Sequence, residues 1–170
     1  MYCNMYFMKK IMILIFTFLL SASLWAQSTD VITDILDTEE VTLGQVCYLT
    51  AVQLDYTDES SSYENAVSVM QEKGLLASSK NENQNAESAV SAVEVAYLFS
   101  KLWTVKGGVM YRITKGSPRY VFKQFQRDGV IKSTVDPSSH ISGTEALSIY
   151  TACVNTYSDF NMSSVSMEEM

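Results

Sequence analysis

The chain has 170 residues, of which 47% are hydrophobic and 18% are charged, and its formal net charge is −7. This size suits one globular domain, and the acidic balance excludes a general nucleic-acid binder. The charge is uneven, because residues 30–94 carry 13 acids and two lysines, whereas residues 101–132 carry eight bases and one acid, a local charge of +7. The basic segment predicts a surface for one anionic ligand or an acidic partner. Alternatively, the two halves attract each other within the fold.

The first 26 residues have the organisation of a secretory signal peptide. Lys9-Lys10 precedes an apolar stretch from Ile11 to Leu20, and small residues follow up to Ala26. This stretch is too short to span a bilayer, which takes roughly 20 apolar residues. We therefore expect export to the periplasm or cell envelope, cleavage after Ala26, and no integral membrane segment in the mature chain. An uncleaved anchor is the alternative.

The two flanks of the remaining chain are polar. Residues 27–40 carry apolar residues at helical spacing, which predicts a short lead-in helix or a mobile arm. Residues 158–170 are rich in Ser, Met and Glu, which predicts a flexible tail. Between these flanks we expect a single helical domain over residues 41–157.

Three capping-box sequences recur along this domain. Thr42-Leu-Gly-Gln45, Ser91-Ala-Val-Glu94 and Ser142-Gly-Thr-Glu145 each open an apolar run, and their starts lie 49 and 51 residues apart. In a capping box the N-cap hydroxyl accepts from a backbone N–H, and Glu or Gln three residues later bonds back to the N-cap amide. The predicted helices cover residues 43–54, 92–103 and 143–154. Their apolar faces coincide, which indicates one supersecondary unit used repeatedly.

A second type of helix alternates with these. Residues 62–73 and 118–128 have matching apolar positions at an offset of 55, and they end in Gly74-Leu-Leu and Gly129-Val-Ile. Glycine at the C′ position adopts positive φ without strain and so ends a helix. The sequence therefore predicts a mainly α helical repeat bundle of about five principal helices, in two and a half helix-loop-helix units.

The second unit carries an insert before its second helix. Gly107-Gly108 is a turn signal, and Val109, Tyr111 and Ile113 follow at every second position. Alternation of this kind is typical of a strand, so we predict a short β-strand or β-hairpin insert.

The order of these signals resembles the S-layer homology family. The best match runs from Gly129-Val-Ile through Asp136-Pro137 to Ile141-Ser-Gly-Thr-Glu145. Residues 42–76 and 91–131 resemble the rest of two repeats. The resemblance implies a pseudo-trimeric helical prism of three repeats, which holds proteins to cell-wall-linked polysaccharide.

One position departs from that family. In the family a basic residue follows the capping hydroxyl and contributes to the ligand groove. Leu43, Ala92 and Gly143 occupy this position here. The resemblance therefore transfers the scaffold to this chain but not the family's contact with an anionic glycan.

The basic segment provides the candidate binding site. Arg119, Lys123 and Arg127 stand at i, i+4 and i+8 of one predicted helix, opposite its apolar positions. The other candidates belong to the insert and the start of this helix: Lys106, Arg112, Lys115, Tyr111 and Tyr120. The first turn of a helix favours an anion, and tyrosine rings offer flat faces to a sugar or peptide. A solvated face paired with acids of the first repeat is the alternative.

The sequence offers no catalytic or metal-binding motif. His140 is the single histidine, and no nucleophile motif surrounds it. Asp55, Asp58 and Glu59 lack the glycine and spacing of a calcium loop, so we interpret them as a solvated acidic loop. We expect neither a bound metal nor a cofactor.

Two cysteines remain in the predicted mature chain, Cys47 and Cys153. Both fall on predicted core faces, where a free cysteine acts as a small hydrophobic residue, although an exported chain can also oxidise such a pair. Taken together, these features favour a non-catalytic envelope module that binds an envelope protein or an anionic polysaccharide. An enzyme or accessory subunit acting on envelope polymer, and a self-assembling structural protein, are the alternatives.

Overall fold

The computed structural model describes residues 26–76 and 85–165, with the backbone alone for 26–30 and 159–165. The chain divides into two compact parts, residues 1–34 and 35–170. Within the first part, the described residues belong to one helix that begins at Ala26. Residues 1–25 of the predicted signal peptide lie outside the described residues.

The described part of the chain is mainly helical, as predicted. Its elements are α1 (Ala26–Asp37), α2 (Leu43–Gln53), α3 (Tyr63–Glu72), α4 (Ala92–Phe99), α5 (Val109–Ile113), α6 (Pro118–Arg127) and α7 (Gly143–Val165). Five of them, α2, α3, α4, α6 and α7, are the predicted principal helices. The lead-in segment forms α1, which is the helical one of its two predicted alternatives.

The predicted capping boxes form in full before α2 and α7, and before α4 the bonds to the glutamate carboxylate form. The Thr42 hydroxyl accepts from the Gln45 N–H at 3.3 Å, and the Gln45 side-chain oxygen accepts from the Thr42 N–H at 3.1 Å. Ser142 and Glu145 make the same pair of bonds at 3.2 and 3.0 Å. In the box before α4, the glutamate carboxylate accepts from both the N–H and the hydroxyl of Ser91, at 2.8 and 2.6 Å. Local sequence therefore sets the start of α2, α4 and α7.

Backbone hydrogen bonds join the starts of α2, α4 and α7 in cyclic order. The first N–H of each helix donates to a carbonyl just before the next of the three: Leu43 to Ser88 at 2.8 Å, Ala92 to Ser139 at 2.9 Å and Gly143 to Thr38 at 2.9 Å. We call this arrangement the three-unit ring. It returns from the last unit to the first and so closes the chain on itself.

The matched apolar positions of the three units meet in the core. Fully buried residues stand at the fourth position of each helix: Val46, Val95 and Ala146. The residues that precede the three N-caps are also buried: Val41, Val90 and Ile141. These two sets are the N4 and N′ partners of a hydrophobic staple, which fixes the entry angle of a helix. Burying one of the valine or isoleucine side chains contributes about 1.5–3 kcal/mol.

The second helices cover the first ones. α3 packs on α2, and α6 packs on α4. Their matching apolar residues are buried as the offset predicts: Ala66, Val67 and Met70 on α3, and Val121, Phe122 and Phe125 on α6. Gly74 and Gly129 end these helices at φ 65° and 77°. The N–H groups of Gly129 and Val130 donate to carbonyls of the last turn of α6 at 3.3 and 2.9 Å, which is a Schellman cap.

The prediction of a β-hairpin insert is wrong, because residues 109–113 form α5 with Gly108 as the N-cap. The Tyr111 ring packs against Gly107, where a Cβ atom would collide with it. A Cβ atom at Gly116 would lie 3.2 Å from the same ring. Val109 and Ile113 suit a helix as i and i+4 as well as they suit a strand. The two glycines allow the aromatic ring to sit inside a compact helical turn.

Two helices end at places other than those predicted. α4 ends at Phe99, before Trp103, and the Ser100 hydroxyl donates to the Tyr97 carbonyl at 2.7 Å. Such local side-chain bonds compete with continuation of a helix. α7 continues to Val165, well past the predicted end at 154. The flexibility of residues 158–170 stays a prediction, and residues 166–170 lie outside the described residues.

Cys47 and Cys153 are both buried and both free thiols. The sequence left two alternatives open for this pair, and the structure has two free core cysteines and no disulfide between them. Burial raises the pKa of each thiol to about 12, because the thiolate is poorly solvated inside the protein.

Candidate functional site

α6 separates its basic residues from its apolar residues. Its apolar side chains pack inward, whereas Arg119, Lys123 and Arg127 are all exposed. Pro118 occupies the first helical position, where its fixed φ and missing N–H fit the start of a helix. The i, i+4, i+8 spacing therefore produces the continuous basic stripe that the sequence predicts.

This stripe has no carboxylate partners in the described part of the chain. None of Arg119, Lys123 and Arg127 forms a salt bridge within residues 26–76 and 85–165. His140 Nδ1 lies 3.5 Å from Glu40 Oε2, outside the stripe. Pairing with acids of the first repeat is therefore not seen for these three bases among the described residues.

The insert adds further bases beside the stripe. Lys106, Arg112 and Lys115 are exposed, and neither Arg112 nor Lys115 forms a salt bridge with a described residue. By contrast, the ammonium group of Lys101 lies 4.0 Å from the centre of the Tyr97 ring, so its charge is engaged there. We call the following residues the basic surface: Lys106, Arg112, Lys115, Arg119, Lys123 and Arg127.

A buried side chain of α6 holds the insert in place. The side-chain oxygen of Gln124 accepts from the Gly108 N–H at 3.2 Å, which fixes the start of α5 against α6. Its amide nitrogen donates to both oxygens of Asp128, at 2.8 and 3.0 Å. The Tyr157 hydroxyl of α7 donates to the same carboxylate at 2.8 Å. The pKa of Tyr157 rises, first because the phenol is buried and then because it donates to Asp128.

The hydrogen bonds of Gln124 place the Arg127 end of the stripe beside the start of the insert. A Cβ atom built on Gly108 would lie 3.5 Å from the Arg127 guanidinium. At the other end of α6, Arg119 follows the insert directly in the chain, four residues after Lys115. The structure therefore brings the predicted basic residues of α6 and of the insert together along one region.

The two predicted tyrosines are both half-buried. The Tyr111 ring is already in contact with Gly107 and Gly116, and burial raises its pKa. This contact of the Tyr111 ring is structural, because the ring packs against glycines at both ends of the insert. The role of Tyr111 and Tyr120 as flat ligand faces stays a prediction.

The first N–H groups of α2, α4 and α7 are already hydrogen-bonded within the protein. Leu43, Ala92 and Gly143 are buried, and their N–H groups bond to the neighbouring unit. A Cβ atom at Gly143 would collide with the carbonyl of Ile35. A basic side chain does not fit at Gly143, so the positions that carry basic residues in the resembled family are interior here.

The other candidate groups show no ligand arrangement within the described residues. In this part of the chain no three His, Cys, Asp or Glu residues are grouped so as to hold a metal ion. Asp58 accepts hydrogen bonds from the N–H and hydroxyl of Ser60, at 3.0 and 2.7 Å. Among the same residues, no helix is both long enough and apolar enough to cross a membrane.

Sequence reasoning missed an exposed apolar face on the insert. Val109, Met110 and Ile113 are 74%, 50% and 69% exposed. The strand prediction assigned Val109 and Ile113 to the same face as Tyr111. In the helix, Val109, Met110 and Ile113 lie on one side and Tyr111 lies on the other, because successive residues of a helix turn by about 100°.

No family model, curated protein or solved structure matches the chain.

Proposed function

We propose that the protein is a non-catalytic, exported module that binds an acidic envelope protein or an anionic polysaccharide through the basic surface. The observation that supports this most is a set of exposed bases without a carboxylate partner among the described residues: Arg112, Lys115, Arg119, Lys123 and Arg127. A purely structural role would favour pairing these charges with the abundant acids of the chain.

The charge distribution supports oriented binding. The whole chain carries −7, whereas residues 101–132 carry +7. An anionic partner is therefore repelled by most of the molecule and attracted by one segment, which steers the encounter toward it. Bases spaced one helical turn apart suit a partner with repeated negative charges.

We extend the proposal to the scaffold, as a divergent module of the S-layer homology type. The cyclic linkage of the starts of α2, α4 and α7 supports this, because it is the arrangement that a pseudo-trimeric prism requires. In this proposal binding has moved to α6, since Leu43, Ala92 and Gly143 are buried. Export is supported by the basic and apolar pattern of the first 26 residues.

Charge reversal on α6 tests the binding proposal. Changing Arg119→Glu together with Lys123→Glu should reduce affinity for immobilised poly-L-glutamate and for dextran sulfate by about tenfold or more at low salt. The difference should shrink at high salt, because exposed charges are screened.

The matched control reverses two lysines outside the basic surface, Lys73→Glu with Lys101→Glu. It changes the net charge by the same amount, and both lysines lie over tyrosine rings, at 5.0 and 4.0 Å from the ring centres. The proposal predicts a much smaller loss for this control. Equal retention of the two variants would show that only net charge matters, and that the surface is merely solvated.

Self-assembly is a second candidate, favoured by the exposed apolar residues Val109, Met110 and Ile113. Sedimentation velocity at two protein concentrations separates it from a monomeric binder. A sedimentation coefficient that rises with concentration would favour assembly.

A further inference from the structure

α5 projects an apolar tip, which we define as Val109, Met110 and Ile113. These side chains are 74%, 50% and 69% exposed, in contrast to the buried apolar residues of α6. They lie on one side of the helix, and the Tyr111 ring on the other side packs against Gly107 and Gly116. The tip therefore points away from the contacts that hold the insert.

Positive charge borders the tip. Arg112 belongs to α5 itself, Lys115 follows it after one residue, and the Arg127 guanidinium lies beside Gly108 at its start. All three side chains are exposed and form no salt bridge with a described residue. Apolar side chains flanked by Lys and Arg are the combination that lies in the interface of an anionic membrane.

We infer that the apolar tip inserts into the surface of an anionic phospholipid bilayer while the bases around it bind the lipid headgroups. This inference rests on the anion-binding role that the proposed function gives to the basic surface, and it adds an anionic lipid surface as a further partner. The occupant needs both negative charge and an apolar layer close behind it, and an anionic bilayer supplies both.

A second copy of the chain fits the tip less well. A stable dimer buries about 800 Å² per partner, far more than three side chains of a five-residue helix offer. Two tips meeting face to face would also bring Arg112 and Lys115 of both copies together. An anionic lipid surface has the complementary charge instead.

The tip is held ready for insertion by contacts already in place. Gln124 accepts from the Gly108 N–H, and Asp128 holds the Gln124 amide. The Tyr111 ring packs inside the turn against Gly107 and Gly116. Binding therefore requires no folding of α5, so little conformational entropy is lost on insertion.

An environment-sensitive fluorophore placed at the tip tests the insertion. The full chain carries Cys3→Ser, and Ile113→Cys supplies the labelled thiol, because Cys47 and Cys153 are buried and their thiol pKa is about 12. Vesicles of equal parts phosphatidylglycerol and phosphatidylcholine should shift the emission to shorter wavelength and raise its intensity severalfold. Vesicles of phosphatidylcholine alone should not, and high salt should remove the effect.

The control label stands at Leu36→Cys on α1, where the apolar side chain is 43% exposed. Its emission should not respond to either kind of vesicle, which excludes general adsorption of the chain. If the probe at position 113 responds no more than the probe at position 36, the inference is overturned.

A second variant separates this inference from the proposed function. Val109→Ser with Ile113→Ser should reduce co-sedimentation with the phosphatidylglycerol vesicles by about tenfold or more and leave retention on poly-L-glutamate unchanged. Unchanged vesicle binding would overturn the lipid inference while the basic-surface proposal stands. Loss of a concentration-dependent oligomer, without any vesicle effect, would assign the tip to a second copy and also overturn it.

Discussion

Single glycines end two of the helices, Gly74 after α3 and Gly129 after α6. Gly129 has φ 77°, and a Cβ atom there would meet no other atom within 4 Å. The surroundings therefore leave room for a side chain, and only the backbone conformation disfavours it. The sequence predicts this position from Gly129-Val-Ile because C′ chemistry is local.

Replacing Gly129 by Ala should lower the free energy of unfolding by about 1 kcal/mol, because an L residue is strained at positive φ. Gly129→Asn should cost less, since Asn tolerates this conformation better. Urea unfolding of the three proteins measures the effect. An alanine variant as stable as the parent would contradict the assigned cap.

The two buried thiols should be almost inert in the folded protein. In a Cys3→Ser background, a thiol reagent at pH 8 should label neither Cys47 nor Cys153, because burial raises the pKa of each to about 12. Both should react completely in denaturant without reductant. Denatured protein that still shows no reactive thiol would reveal a disulfide, and rapid labelling of the native protein would contradict the burial.

At the scale of elements, the helix starts could be predicted and the insert could not. A hydroxyl residue followed three positions later by Glu or Gln predicts the starts of α2, α4 and α7, because the capping bonds form within each segment. α5 has five residues, too few to distinguish the helical from the strand period. Its conformation depends on Gln124 and on the space beside two glycines, which the local pattern does not contain.

Loss of the Gln124 side chain should loosen the insert. Gln124→Ala leaves the Gly108 N–H without its acceptor and removes two of the bonds to Asp128. Limited trypsin digestion should then cleave within residues 106–115 about tenfold faster than in the parent, since local opening of an insert governs such cleavage.

Gln126→Ala is the matched control for that digestion, because it lies on the same helix and bonds to carbonyls of the following loop instead. It should leave cleavage of the insert unchanged. If the two variants were cleaved alike, the link between Gln124 and Gly108 would not hold α5.

At the scale of the whole molecule, the repeat could be predicted but its closure could not. The apolar faces predict three equivalent helices, whereas the acceptor for the Gly143 N–H is Thr38, in the loop that precedes the first unit. Sequence spacing contains no signal for a backbone pair so far apart. The candidate site could likewise be predicted only in part. The sequence identifies the basic residues, but their lack of carboxylate partners among the described residues depends on the packing.

Amide hydrogen exchange, followed by NMR, tests the three-unit ring most directly. The N–H groups of Leu43, Ala92 and Gly143 should exchange only on global unfolding, with the same opening free energy as urea unfolding gives. The Arg112 amide of α5 should exchange far faster, because α5 has only five residues and none of them is buried. If Gly143 exchanged about a hundredfold faster than Leu43 and Ala92, the last unit would not be closed on the first, contrary to this account.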